Sequence, residues 1–398
     1  MSPTDIFPPS SLPMPSKICR LLALRKGAYA LLLCVLFLSN PLSAALSPLS
    51  TAYLLSGNST ASRNICKPPQ APILIDSVFN RLSNGTIDGG HSRIIKLTEK
   101  VSAIGFSQTI EVSAPIFEAR SEFQHIQIYG SSHFGKVLVL DDVLQITERD
   151  GDSYNEMMAH MPMMAHPAPK KVLIIGGGDG YVLSEVLKHP SVEHVDHVDL
   201  DEGVIKACEK YFSWGSAWAD PRVKLRIEDG ALFVRNAPKG FYDVIVQDSS
   251  DPYGDDNEIL PSSVLYSEEH FSHLYDALSE NGVLNFQAES LAIPSDVKGI
   301  LDWRDLLLNE AKFEDVRYGT VSIPTYPTGQ IGFLLCSKNK ETALMNEEKM
   351  AIVRERFLKI VKSGKTTTYY HPRLQKSSFD IPLAFGKKIY GESFDFFD

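Results

Sequence analysis

The chain has 398 residues, 43% hydrophobic and 22% charged, which suits a globular protein with room for a sizeable core or two domains. A formal net charge of −10 argues against nucleic acid as the main partner. Five cysteines with no Cys-x-x-Cys spacing supply no disulfide framework, so Cys208 and Cys336, far from the amino terminus, read as buried free thiols.

In chain order, Lys17, Arg20, Arg25 and Lys26 precede the apolar run Ala28–Leu38, and small residues follow to Ala45. That order predicts a secretory-type targeting segment over 1–45, too short to span a bilayer comfortably; uncleaved, it would be the chain's one membrane contact. Residues 46–72 are rich in Ser, Thr, Pro and Asn, and the poorly patterned stretch continues, so 46–105 reads as a linker or extension. From Phe123 the alternating segments "FQHIQIYG", "KVLVLDD" and "VLQITERD" predict a small antiparallel β domain over 106–168. It includes a helix, "DSYNEMMAHMPMMAH", capped by Asp152 or Ser153.

Past "PAPKK", strands and helices alternate. "KVLIIGG", "VEHVDHVDL", "VKLRIED", "YDVIVQD" and "GVLNFQAE" read as strands with helices between them. "VRYGTVSI" and "QIGFLLCSKN" suit a closing hairpin. The expected fold class is α/β: a doubly wound, Rossmann-like (methyltransferase-type) sheet over 169–390, preceded by the small antiparallel β domain.

In such a sheet, ligands bind at the carboxyl ends of the strands. Here the first strand ends in "GGGDG" (Gly176–Gly180), the second at Asp199, the third at Asp229-Gly230 and the fourth at Asp248. Gly176 and Gly178 let the backbone pass close to a ligand, with the following helix pointing its positive end at the same place. The dinucleotide pattern G-x-G-x-x-G fails at Tyr181, and Asp179 inside the loop opposes a pyrophosphate. A nucleoside with a positive tail, such as a sulfonium, fits. Asp199, preferred over Asp201 and Glu202, would take the ribose hydroxyls, and Asp229 the adenine amino group. Each has a plainer alternative: Asp179 as a cap of the next helix, Asp229 as a turn residue.

Four motifs, "VLVLDDVLQITERDGDSYNEMM", "KVLIIGGGDGYVLSEVLKHPSVE", "YDVIVQDSSDP" and "SIPTYPTGQIGFLLCSKN", occur in this order. With them the chain resembles the polyamine aminopropyltransferase family, the spermidine synthases in particular, from about Phe117 to about Lys388. The resemblance implies that Gln124, Gln145, Asp179, Asp199, Asp229, Gly230 and Asp248 line a pocket for decarboxylated S-adenosylmethionine. It implies that Tyr154, Asp248, Asp251 and Tyr326 line a pocket for putrescine, with Asp248 as the catalytic base. It also implies a homodimer and no cofactor or metal; His160 and His166 lack a zinc-ligand arrangement.

Departures from the family pattern are Asp199 in place of Glu, Asn155 in place of Gln or His, and no tryptophan motif around Ile104–Pro115. The loop "DDNEILPSSV" is longer, and its Asp255 and Asp256 are either solvated or meet the far end of the polyamine. Competing readings are a spermine or thermospermine synthase, a putrescine N-methyltransferase, which Asp179 disfavours, and a nucleoside-binding pseudoenzyme.

Overall fold

The computed structural model describes residues 94–253, 259–340, 346–391 and 394. The targeting segment, most of the linker, and Asp255 and Asp256 lie outside the described residues.

The first described elements are β1 (Ile95–Val101) and β2 (Phe106–Val112), an antiparallel hairpin turning at Gly105. The expected boundary between linker and β domain at 105 therefore cuts through a hairpin. In β1 every second residue is half-buried and the others are exposed, the period-two pattern of a strand with one face covered. A four-stranded antiparallel sheet follows in chain order: β3 (Pro115–Arg120), β4 (His125–Ser131), β5 (Gly135–Leu140) and β6 (Val143–Thr147). Asp141 and Asp142 join β5 to β6 with φ of 46° and 68°, the left-handed pair a tight hairpin turn requires and short polar side chains tolerate.

Helix α1 (Gly151–Ala165) corrects two expectations. Its N-cap position is Asp150, not Asp152 or Ser153; Ser153 donates its hydroxyl back to the Asp150 carbonyl at 2.8 Å. It also belongs with the large sheet, packing on β10 to β13, whereas the boundary at 168 put it with the small one. The physical reason is its composition. All its residues except Asp152 are buried: its methionines need apolar cover on every side, and its buried polar groups need partners. Asn155 donates within the helix to the Gly151 carbonyl, and Glu156 accepts from three successive backbone N–H groups, Thr368, Tyr369 and Tyr370, at 2.7, 2.8 and 2.6 Å. His160 is fully buried, within hydrogen-bond distance of His189 and Glu185, and the buried His166 accepts from the Ala168 N–H.

The second sheet has seven strands in the order β12-β13-β11-β10-β7-β8-β9. Strands β7 (Lys171–Gly176), β8 (His194–Asp199), β9 (Val223–Ile227), β10 (Tyr242–Asp248) and β11 (Leu278–Gln287) are parallel; β12 (Asp315–Ser322) and β13 (Gln330–Ser337) form the closing antiparallel pair. This is the doubly wound, Rossmann-like fold the alternation predicts. Consecutive residues of β7 and β10 serve opposite faces. Val172, Ile174, Val244 and Val246 pack in the core that holds α1, while Leu173, Ile175 and Ile245 pack in the core on the other face. Unbroken β-branched runs are what a sheet buried on both faces demands. Cys208 and Cys336 are buried free thiols. Among the described residues no helix is long and apolar enough to cross a membrane.

The chain runs outward from β7 to β8 and β9, then crosses back to β10 on the other side of β7. The strand order therefore reverses between β7 and β10, and their carboxyl ends meet in register, with Asp248 opposite Gly176. A crevice opens where the chain departs in opposite directions from two neighbouring strands.

Candidate active site

The glycine loop is shaped by Asp248 and Asp199 themselves. Gly176 has φ of +73°, and a Cβ there would stand 2.1 Å from the Asp248 carbonyl oxygen; at Gly178 it would stand 2.8 Å from Asp199 Oδ2. The Gly177 N–H donates to that same Asp248 carbonyl at 2.7 Å. Only glycine lets strand ends and loop approach this closely. His197, which the sequence reading passed over as strand interior, supports the loop from below. Its Nδ1 accepts from Trp218 Nε1 at 2.9 Å, so Nε2 carries the proton and donates to the Gly176 carbonyl at 2.7 Å. Burial holds this imidazole down to about 4, keeping it neutral.

Three of the predicted carboxylates come together around the loop. Burial pushes Asp248 up to about 6, opposed by a hydrogen bond from Tyr154. Burial pushes Asp199 up to about 7; the Asp201 N–H opposes the shift, while the charges of Asp201 and Asp248 add to it. Asp179 is raised well above the ordinary carboxyl range by burial, then by Asp248 and Asp199. Three crowded acids that resist ionising together form a site that gains when a cation enters.

The plainer readings hold in part. Asp179 Oδ1 accepts from the N–H of Tyr181, the first residue of α2 (Tyr181–Val186), at 2.6 Å. Asp229, exposed, caps α4 (Gly230–Asn236) through Leu232 N–H at 3.0 Å. Each contact uses one oxygen of two. Asp201 is occupied structurally. It caps α3 (Glu202–Tyr211) through Gly203 N–H and accepts from Ser121 Oγ at 2.6 Å and Gln124 Nε2 at 2.9 Å, while its own N–H holds Asp199 Oδ1 at 2.8 Å. Gln124 thus ties the small sheet to the residue that orients Asp199. Gly230 lies under Ile175, where a Cβ would come within 2.6 Å.

The second side of the crevice is phenolic. Tyr154 donates its hydroxyl to Asp248 Oδ1 at 2.6 Å, and the Tyr154 and Tyr326 ring centroids are 5.8 Å apart. Tyr326 donates its hydroxyl to the Gln145 carbonyl at 2.8 Å, so Gln145 meets this tyrosine through its backbone. Both phenols use their single proton on the protein. What they retain for a ligand is oxygen lone pairs, which accept from an ammonium.

Asp251 keeps access to solvent while protein surrounds its other sides, as a residue lining a concavity does. It accepts from Gln287 Nε2 at 3.3 Å, and burial raises its carboxyl while the neighbouring Glu289 and Gln287 oppose the shift. Burial and then Asp251 raise Glu289 well above its ordinary range, and burial brings Asp296 up to about 6. Gln287, Glu289 and Asp296 are absent from the sequence-level site. The signal for Gln287 and Glu289 was "FQAES" at the end of the fifth parallel strand, the same position that yields Asp199 and Asp248; Asp296, in the first turn of the next helix, had none. Among the described residues no group of three or more His, Cys, Asp or Glu side chains is arranged to hold a metal ion.

Residues 151–346 match the spermine/spermidine synthase domain and residues 97–148 the spermidine synthase tetramerisation domain. Spermidine synthase 2 of Arabidopsis thaliana is 38% identical over 288 residues, 72% of this chain and 81% of its own. The spermidine synthase of Dictyostelium discoideum is 38% identical over 287 residues, 72% of this chain and 93% of its own. Two crystal structures superpose with TM-scores of 0.66. The spermidine synthase from Thermotoga maritima is 32% identical and covers 77% of this chain and 98% of its own. A spermidine synthase in complex with the transition-state analogue AdoDATO is 33% identical, covering 75% and 95%. The chain belongs to the spermidine synthase family.

Proposed function

We propose that the protein transfers the aminopropyl group of decarboxylated S-adenosylmethionine to putrescine, giving spermidine and methylthioadenosine. The observation that carries this reading is Asp248, pushed up to about 6, bonded to Tyr154 and set against the glycine loop with Asp179 and Asp199. Asp248 takes a proton from the attacking ammonium. The freed nitrogen lone pair forms a bond to the aminopropyl carbon, the C–S bond breaks, and its electron pair stays on sulfur. A sulfonium is already a good leaving group, so positioning carries most of the work and the reading calls for no metal or cofactor.

Asp179 supports the decarboxylated donor, whose tail carries an ammonium and no carboxylate; a crowded carboxyl attracts the first and repels the second. Gly176, Gly178, Asp199, Asp229 and Gly230, with Gln124 and Gln145 at its margin, would complete the donor site. The Asp251–Glu289 pair supports a diamine acceptor, because two neighbouring carboxyls that resist ionising together gain when a far ammonium enters. The match to a tetramerisation domain supports self-association through β1 to β6; light scattering distinguishes the expected homodimer from a tetramer. A fluorescent fusion of residues 1–75 tests the targeting segment.

The deciding experiment incubates the protein with putrescine or spermidine and with either donor, and identifies the product by mass. Spermidine is expected. Methylputrescine would overturn the donor assignment, spermine or thermospermine the acceptor, and absence of product the enzyme reading itself.

A further inference from the structure

Tyr154 and Tyr326 reach the crevice from unlike supports. Tyr154 stands on α1, buried on all sides. Tyr326 stands on the loop between β12 and β13, where Thr328 and Gly329 both have left-handed backbone. That loop's own hydrogen bonds, Tyr326 N–H to the Ile323 carbonyl and Gly329 N–H to the Tyr326 carbonyl, close it on itself. They do not place it against α1.

The placing is done by Asp150, at the junction of β6 and α1. Its Oδ1 accepts from the Thr147 hydroxyl at 2.6 Å and from the Thr325 hydroxyl at 2.9 Å. Its Oδ2 accepts from the Thr325 backbone N–H at 2.9 Å. Thr147 and Thr325 are both essentially inaccessible to water, so their donors depend on this carboxylate. One residue beyond Thr325, the Tyr326 hydroxyl donates to Gln145 in β6. From the amino-terminal hairpin, Gln108 Nε2 reaches the Pro324 carbonyl at 3.3 Å. Three consecutive residues, 324 to 326, are therefore held from outside their loop, and the doubly bonded one is held by Asp150.

We propose that Asp150 is a positioning residue for the amine acceptor: it locks the Tyr326 loop to the start of α1 and so fixes the gap between the two phenols. This rests on the reading of Tyr154 and Tyr326 as the acceptor site. A carboxylate suits the position: three donors converge on its two oxygens, and its charge strengthens each bond. Asp150→Asn keeps the shape and one oxygen for the Thr325 N–H but removes that charge.

The test is steady-state kinetics on the full chain for Asp150→Asn, Thr325→Val, Tyr326→Phe and the double variant Asp150→Asn/Tyr326→Phe, with melting temperatures alongside. Asp150→Asn is expected to raise the acceptor KM about tenfold and leave the donor KM within about twofold, since the charge that strengthens the clamp is lost on one side of the crevice only. Thr325→Val should move the acceptor KM the same way by about threefold, and decides the question if Asp150→Asn fails to melt cooperatively. The double variant should fall short of the product of the single effects, because both act through one phenol. Equal rises in the two KM values, or fully multiplicative effects, overturn the proposal. If Tyr326→Phe leaves the acceptor KM unchanged, the acceptor-site reading has failed and the positioning role goes with it; a normal Tyr326→Phe effect beside a silent Asp150→Asn refutes the positioning role alone.

Discussion

The bond between Tyr154 and Asp248 makes a prediction that can be worked through. Asp248 must be ionised to accept a proton, and burial lifts it to about 6 while the Tyr154 hydroxyl, 2.6 Å away, pulls it down. Hydrogen bonds to charged groups contribute about 1.5–3 kcal/mol. At 1.36 kcal/mol per pKa unit, removing the phenolic proton in Tyr154→Phe should raise Asp248 by about 1–2 units. The acid limb of kcat/KM would then move from about pH 6 to about pH 7–8. At pH 7 the wild-type carboxylate is about nine-tenths ionised and the variant's between about half and a tenth, so part of the activity lost at pH 7 returns by pH 9. The assay is kcat/KM for the amine from pH 5 to 9, wild type against variant. The amine's own ionisation is common to both enzymes and drops out of the comparison. Asp248→Asn, which keeps an acceptor for Tyr154, should lower kcat about 100- to 10,000-fold and abolish the limb. A limb that stays in place or moves to lower pH in Tyr154→Phe would refute the assignment of Asp248 as the group whose ionisation Tyr154 controls.

Three further outcomes are expected. Asp179→Asn should raise the donor KM about tenfold, leave the acceptor KM nearly unchanged and narrow the preference for decarboxylated over ordinary S-adenosylmethionine; an unaltered donor KM sinks that role. Gly176→Ala should destabilise by about 2–4 kcal/mol in denaturant titration, because the methyl meets the Asp248 backbone. Gly240→Ala, equally left-handed but with nothing within 4 Å, should cost only about 1 kcal/mol, and equal losses would refute the packing argument. Asp199 sits at about 7 when folded against about 3.9 unfolded, so the folded form holds a proton the unfolded form has lost. Its penalty is therefore absent below about pH 4 and complete above about pH 7. The melting temperature of Asp199→Asn minus that of wild type should accordingly climb between pH 4 and 8, measured without substrates; a flat difference means the carboxyl is not raised.

Legibility in the sequence followed locality. Asp199 and Asp248 were visible because a β-branched run that breaks at an acid marks both a buried strand and its exit toward the crevice. The same rule, carried to the fifth strand, points to Gln287 and Glu289. Helix α1 was recognised as a helix, yet its methionine-rich surface does not say which sheet covers it. The first strand was overlooked because its covered face is only half-buried and Glu99 interrupts its apolar alternation, with its partner supplied across the Gly105 turn. Asp150 read as no more than part of a conspicuous motif. Asp229 shows the converse: the sequence placed it at a strand end, and the structure makes its first duty a helix cap.

By itself the sequence determined the alternation of strands and helices, the glycines and acids at the strand ends, and hence the class of ligand. Those properties depend on residues a few positions apart. Only the tertiary structure decided which groups meet. Tyr154 reaches Asp248 across 94 positions, Asp150 reaches Thr325 across 175 and Tyr326 reaches Gln145 across 181. Asp248 becomes a base near neutrality because burial raises it while a distant tyrosine holds it in check, and both are properties of the assembled crevice rather than of any stretch of chain.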